Sequence, residues 1–214
     1  MRHQSSDQFP ETVTLVQAAR VAEVRVTSLR NWIARHILQY VGQVPFAGQD
    51  RRFATWGVYE IALIAELRER HVLEEAAAIV HAGFRNRLRE GYEKYCALHP
   101  EHVPPVPDWA TDDTAFDHIK DTIAGTAEIW PAGEFLDRDA DNPAIWIFTV
   151  HGGIPQGPLL VYGWEGIASV AHSIGVSHAE WLNVTAVLRK ADEGLREILV
   201  EREAWRSLAK KHGG

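Results

Sequence analysis

Hydrophobic residues recur with the spacing of an α-helix from Thr14 to about Lys94, except in the stretch Tyr40–Asp50. That stretch holds two glycines and one proline between short pieces rich in β-forming residues, a pattern typical of a hairpin. The N-terminal third of the chain therefore predicts two helices, a hairpin and further helix, in that order.

The first two helices are predicted to form a helix-turn-helix. Thr14 has a side chain suited to cap the first helix, and Val24 supplies the small apolar side chain that the turn needs. The buried face of the first helix is predicted to consist of Leu15, Ala18, Ala19 and Ala22. The buried stripe of the second helix is predicted to consist of Val26, Leu29, Trp32, Ile33 and Leu38.

Proline and strand signals divide the rest of the chain. Residues 99–113 are rich in proline and are predicted to form an extended linker. The β-prone runs Ala144–Val150 and Pro158–Tyr162 are separated by three glycines and a proline, which predicts a second hairpin. Residues 178–211 contain one glycine and no proline, and they predict a long helix capped by Ser177.

These elements predict a mainly α protein with a small β component. A winged helix-turn-helix comes first, and a small α/β domain and a long C-terminal helix follow. The predicted division is a polar tail at residues 1–12, the winged helix-turn-helix at 13–85, a helix end and linker at 86–113, and an α/β region for an effector or for oligomerisation at 114–214.

The composition is that of a packed globular protein, with 46% hydrophobic and 24% charged residues. The longest apolar runs fall short of the roughly 18 residues needed to cross a bilayer, and the first residues lead into no apolar segment of an export signal. The single cysteine, Cys96, excludes an intramolecular disulfide framework and a zinc site built from several thiolates. We therefore expect a cytoplasmic protein without a membrane partner.

Charge is distributed unevenly along the chain. The whole chain has a formal net charge of −7, which by itself argues against a nucleic-acid partner. Residues 1–53, however, contain seven arginines and four acidic residues, a net charge of +3, so the remainder carries −10. A basic N-terminal module on an acidic body is expected when only the first of them contacts phosphate.

The sequence contains no recognised catalytic or metal-binding motif. We find no nucleophile elbow, P-loop, Rossmann glycine pattern or His-Glu-x-x-His, so we expect a protein that is not an enzyme and has no cofactor or metal. His99, His102 and His118 lack the helical spacing of metal ligands and are expected to be solvated loop residues. Aromatic side chains of the middle region either fill its core or line a ligand pocket. These are Trp130, Phe135, Trp146, Phe148, Tyr162 and Trp164.

Polar residues at the start of the second predicted helix are candidates for binding DNA. They lie on its first turns and outward side, where helix-turn-helix proteins contact base edges and phosphates. The candidates on this helix are Arg25, Thr27, Ser28, Arg30 and Asn31. The first hairpin adds Arg51 and Arg52 beside Phe53 on its return strand, where arginines can hold backbone phosphate or enter the minor groove.

About residues 14–80 resemble the N-terminal DNA-binding region of MerR-type transcription regulators. Three short runs are similar to the opening helices of that family: Thr14-Leu15, Ala18-Ala19-Arg20 and Val26-Thr27-Ser28-Leu29-Arg30. Two later runs resemble its wing and a following helix: Arg51-Arg52-Phe53-Ala54 and Leu73-Glu74-Glu75. The resemblance implies a winged helix-turn-helix that binds DNA. This sequence has Asn31-Trp32 where the family has two tyrosines, and Glu23 where it has the turn glycine.

We expect a sequence-specific transcription regulator that binds a pseudo-palindromic site on double-stranded DNA as a homodimer. Residues 73–94 and 178–211 are the candidate dimer helices, and packing of the second within its own domain is equally compatible with its broken apolar stripe. A small-molecule or protein effector would bind the C-terminal region. Two alternatives stay open: a phage-type DNA-binding adaptor, such as a terminase small subunit or an excisionase, and a small-molecule-binding protein whose middle domain is the functional part.

Overall fold

The computed structural model describes residues 12–38, 52–53, 55–84, 135–136, 138–151, 154–174 and 179–212. The N-terminal elements are β1 (Val13–Thr14), α1 (Leu15–Val21), α2 (Val26–Ala34), β2 (Arg52–Phe53), α3 (Thr55–Leu67) and the described part of α4, residues 73–84. The C-terminal elements are β3 (Ala144–His151), β4 (Ile154–Tyr162), α5 (Gly163–Ile174), β5 (Glu180–Asn183) and α6 (Val184–His212). The chain forms two compact units, Met1–Val80 with Leu182–Gly214, and His81–Trp181.

A short strand leads directly into α1. β1 pairs antiparallel with β2, with Val13 opposite Phe53 and Thr14 opposite Arg52. The Thr14 hydroxyl accepts the N–H of Gln17 at 3.3 Å, and Gln17 Oε1 accepts the N–H of Thr14 at 2.9 Å. This reciprocal capping box confirms Thr14 as the cap of the first helix. The first strand of the hairpin predicted before β2 lies outside the described residues.

The turn between α1 and α2 contains a residue in the left-handed region. Glu23 has a φ of 53°, and the next N–H, that of Val24, donates to the carbonyl of Ala19 at 2.9 Å. His36, with a φ of 54°, repeats this ending after α2. Both are Schellman endings, in which glycine is the usual left-handed residue because a Cβ is strained there.

The helices of the first unit pack around one apolar core. α3 is buried on nearly all sides from Val58 to Ile64, because α1 lies against it in one direction and α6 in another. A helix that is apolar all round needs such double cover. The largest side chains of this core, all at most 2% exposed, are Leu29, Trp32, Phe53, Tyr59, Ile61, Leu63, Ile64 and Leu67.

The start predicted for the long C-terminal helix is wrong. Residues 180–183 form β5, and α6 begins at Val184. Its cap is the side chain of Asn183, whose Oδ1 accepts the N–H of Ala186 at 2.9 Å, so Ser177 does not cap it. The strand was missed because its four residues are too few to interrupt the surrounding helical pattern.

The apolar stripe of α6 is buried against α1 and α3 of the same chain. Its buried members, each at most 1% exposed, are Leu188, Ala191, Leu195 and Ile198. A Cβ at Gly194 would lie 3.3 Å from both methyl groups of Val21, so the two helices approach closely at this glycine. The helix therefore belongs to the same unit as α1 and α3, whereas the predicted boundaries grouped it with the α/β region.

A three-stranded sheet with the order β4-β3-β5 forms the centre of the second unit. β3 and β4 are antiparallel, which confirms the hairpin predicted here, and a bulge lies between Ile147 and Thr149. One face packs through Ile147 and Val161 against α5. On the other face the ring of Trp146 meets Phe84 edge to face at 5.8 Å. The described residues thus form a mainly α protein with small antiparallel sheets and a long C-terminal helix, as predicted.

Candidate nucleic-acid interface

α2 has a buried face and an exposed face. Leu29 and Trp32 are at most 2% exposed and fix the helix on the core of the first unit. The other side presents four exposed polar residues, which we call the α2 face: Arg25, Thr27, Arg30 and Asn31. Ser28 is half-buried beside them. Five candidates from the sequence therefore lie together on the first turns of one helix, as predicted.

The N-terminus of α2 has no side-chain cap. Arg25 occupies the cap position with extended backbone angles, φ −68° and ψ 137°, and its side chain makes no capping hydrogen bond. No acidic residue lies in the first turn of α2. The backbone N–H groups of this turn and the positive end of the helix dipole therefore favour an anionic partner.

The described residues provide no internal partner for the α2 face. No hydrogen bond or ion pair joins Arg25, Arg30 or Asn31 to another side chain in the part of the chain that the structure describes. The one acidic residue of the preceding turn, Glu23, is held instead by Lys190 of α6, whose Nζ lies 2.6 Å from its carboxylate. This hydrogen bond raises the pKa of Lys190. Because the ammonium group of Lys190 compensates the carboxylate of Glu23, this carboxylate lowers the positive potential of the α2 face less than an unpaired carboxylate would.

A polar groove of about 410 Å³ borders the C-terminal half of α2. Its wall includes Asn31 of α2 and the C-cap residue Arg35, together with Arg68 and His71 from the segment between α3 and α4. Arg35 is paired with Glu74, and the guanidinium of Arg68 lies 5.7 Å from the ring of Trp32. Arg68 is not among the candidates from the sequence, because one arginine just after a helix is not a distinctive signal.

Only part of the predicted wing is described. Arg52 is exposed on β2, whereas its neighbour Phe53 is fully buried. Antiparallel pairing with Thr14 places Arg52 beside the start of α1, within the same unit as the α2 face. Arg51 lies outside the described residues. The two ends of β2 thus have separate roles, since Phe53 anchors the strand and Arg52 remains available to a partner.

Ion pairs and hydrogen bonds join α6 to α1 and its flanking residues at three places. The guanidinium of Arg20 contacts both oxygens of Glu201, at 3.1 and 3.2 Å. Arg202 donates to the carbonyl of Thr12 at 2.9 Å and to Gln17 Oε1 at 3.2 Å. With the Glu23–Lys190 pair, these contacts span the whole length of α1. Arg20, one of the seven N-terminal arginines, is therefore engaged within the chain.

A buried polar contact joins α3 to α6. The hydroxyl of Tyr59, which is 1% exposed, lies 3.4 Å from Asp192, and Arg196 donates to the other oxygen of that carboxylate at 2.9 Å. Burial and the nearby carboxylate raise the pKa of Tyr59 well above its usual range. The phenol therefore stays protonated and can donate its hydrogen to Asp192.

The sequence also drew attention to one cysteine and to three histidines as possible metal ligands. Cys96, His99, His102 and His118 lie outside the described residues, and the described residues contain no group of three or more side chains that could hold a metal. No described helix is both long and apolar enough to span a membrane. No protein-family model matches the chain, and no curated protein matches it.

Proposed function

We propose that this protein is a sequence-specific transcription regulator of MerR type that binds a pseudo-palindromic site on double-stranded DNA as a homodimer. The α2 face carries the proposal. It combines guanidinium, amide and hydroxyl groups at an uncapped helix N-terminus, on a helix whose opposite side is anchored in the core. Such groups fit the phosphates and base edges of the major groove.

Each side chain has a role in this proposal. Arg25 and Arg30 bind phosphate or the acceptor edge of guanine, since a guanidinium can donate two parallel hydrogen bonds. Asn31 has the amide geometry that pairs with adenine, and Thr27 and Ser28 donate to phosphates or bases. Arg52, with Arg51, would hold the adjacent backbone or minor groove.

The position of α6 bears on the proposed dimer. Its apolar stripe is buried within its own chain, so this stripe is not free to pair with a second copy. The apolar side chains of residues 73–84, the described part of the other candidate helix, are buried as well, so the proposal assigns the dimer contact to neither apolar stripe. A dimer remains part of the proposal because one recognition helix makes too few base contacts for specific binding to a genome.

Selection from a pool of random duplex DNA tests this function. We expect the full-length protein to enrich a motif with two inverted half-sites, and we expect its mass in solution to equal two chains. The variant Asn31→Ala should relax selection at one base pair of each half-site, since a bidentate contact contributes about 1–3 kcal/mol of base discrimination. Failure to enrich any motif contradicts sequence-specific binding. A ring of many copies would favour the packaging adaptor instead.

A further inference from the structure

Two tryptophans of the second unit are left half-exposed. The exposure of four tryptophans is described: Trp32 and Trp146 are 2% exposed, whereas Trp164 is 43% and Trp181 is 45% exposed. Two of these four rings are therefore part of the core, and the other two lie at the surface. Trp164, in the first turn of α5, and Trp181, in β5, meet each other at the surface, and we call them the tryptophan pair.

The tryptophan pair has a fixed geometry. The ring centroids are 5.4 Å apart and the ring planes are at 86° to each other. The indole N–H of Trp164 donates to the carbonyl of Ala140 at 3.2 Å. The segment that carries Ala140 is held in turn, because Asp139 accepts the N–H of Asn142 at 2.7 Å. The rings thus form a preorganised corner at the surface, with more than two fifths of each tryptophan exposed to solvent.

The chain around the tryptophan pair is acidic. Asp139 and Asp141 flank Ala140, Glu165 follows Trp164, and Glu180 precedes Trp181. The first three of these carboxylates are exposed, and Glu180 is half-buried with a partner of its own. The cation among these residues, Arg138, is stacked on Tyr162 with its guanidinium 3.7 Å from the ring centroid. The local charge is therefore negative, and the stacked arginine shows that an aromatic ring in this unit holds a guanidinium.

We infer that the tryptophan pair is a docking site for a basic segment of a partner polypeptide, with an arginine or lysine side chain against the indole faces. Tryptophan is the aromatic residue that attracts cations most strongly, and it is enriched with arginine at the centres of protein interfaces. The flanking carboxylates supply charge complementarity to the same partner. Small-molecule sites usually enclose their ligand, whereas more than two fifths of each tryptophan is open to water. A side chain carried by a larger partner therefore fits this surface better than a free small molecule. This inference does not depend on DNA binding.

Binding of a fluorescein-labelled peptide of alternating arginine and glycine to the full-length protein tests the inference. We expect measurable binding by fluorescence anisotropy, weaker by at least about fivefold in Trp181→Ala, as when an energetically important interface side chain is truncated. Glu165→Gln should weaken binding, whereas Glu203→Gln, which removes the same charge from an exposed position on α6, should not. Equal affinities for Glu165→Gln and Glu203→Gln would show that the peptide responds only to net charge, and would overturn the site.

A second measurement covers the case in which Trp181→Ala fails to fold. The wild-type protein is labelled with 5-fluorotryptophan, and its ¹⁹F resonances are assigned through single Trp→Phe variants. We expect addition of the peptide to shift the resonances of Trp164 and Trp181 and to leave those of buried Trp32 and Trp146 unchanged. Unshifted resonances of the tryptophan pair at saturating peptide, or equal binding of a peptide with glutamine in place of arginine, would contradict the inference.

Discussion

Glu23 has two opposing effects on the stability of the helix-turn-helix. Its φ of 53° lies in the region that glycine adopts without strain, so the glutamate backbone is strained there. Its carboxylate compensates in part by pairing with Lys190 at 2.6 Å. The pair is exposed on both sides and is therefore a weak source of stability. The residue also keeps a negative charge next to the α2 face, which a glycine would not.

We expect Glu23→Gly to be more stable than Glu23→Gln by about 1 kcal/mol, because both variants lose the ion pair and only glycine relieves the backbone. Urea unfolding of the wild type and both variants measures this difference. A Glu23→Gly protein that is less stable than Glu23→Gln would show that the left-handed turn carries no strain.

Tyr59 links stability to pH at the high end of the scale. In the unfolded chain a tyrosine loses its proton near the ordinary pKa of 10.0, whereas burial and Asp192 raise the pKa of Tyr59 in the folded chain. Its contribution to stability is therefore complete below pH 10 and is lost as the pH rises above that value, since only the unfolded state releases the proton.

The free energy of unfolding of the wild type should fall between about pH 9 and pH 11. In Tyr59→Phe we expect this fall to be smaller by up to about 1.4 kcal/mol, which is the free energy equivalent to one pH unit above the pKa of the unfolded chain. At neutral pH the same variant should be less stable by about 1 kcal/mol because it cannot form the hydrogen bond to Asp192. Denaturant unfolding at several pH values measures both effects. Parallel pH profiles for wild type and variant would refute the raised pKa of the phenol.

At the scale of elements, α6 shows how far periodicity alone predicts structure. The helical spacing indicated an apolar stripe in this segment, and Leu188, Ala191 and Leu195 of that stripe are buried. Periodicity does not show what the stripe packs against, because packing on a partner chain and packing on the N-terminal unit produce the same pattern of apolar residues. The cap was misplaced for a related reason, since serine and asparagine have equal capping ability and only the strand before Val184 decides between Ser177 and Asn183.

We expect Leu195→Ala, at a side chain 1% exposed, to lower the free energy of unfolding by about 2–4 kcal/mol through the cavity it leaves. Val200→Ala, in the same helix at a side chain 66% exposed, is the matched control and should change stability by at most about 0.5 kcal/mol. Urea unfolding compares the two. Equal effects would mean that α6 does not pack on α1 and α3.

At the scale of the whole molecule, charge is distributed unevenly along the chain. The first 53 residues carry a net charge of +3 and the remainder carries −10. The sequence predicted the residues of the α2 face because a helix-turn-helix pattern fixes which turns are exposed. It did not predict the groove with Arg68 or the corner of Trp164 and Trp181, since these depend on contacts between residues distant in the sequence.

The central claim is that the α2 face binds duplex DNA, and the salt dependence of binding tests it most directly. Affinity for a fixed duplex is measured at several salt concentrations for the wild type, for Arg25→Ala with Arg30→Ala, and for Arg196→Gln, a control that removes a charge from α6. We expect the double variant to bind more weakly, with a slope of log K against log salt smaller by about 0.9 for each phosphate that the variant no longer neutralises. The control should keep the wild-type slope. Wild-type affinity and slope in the double variant would contradict the claim.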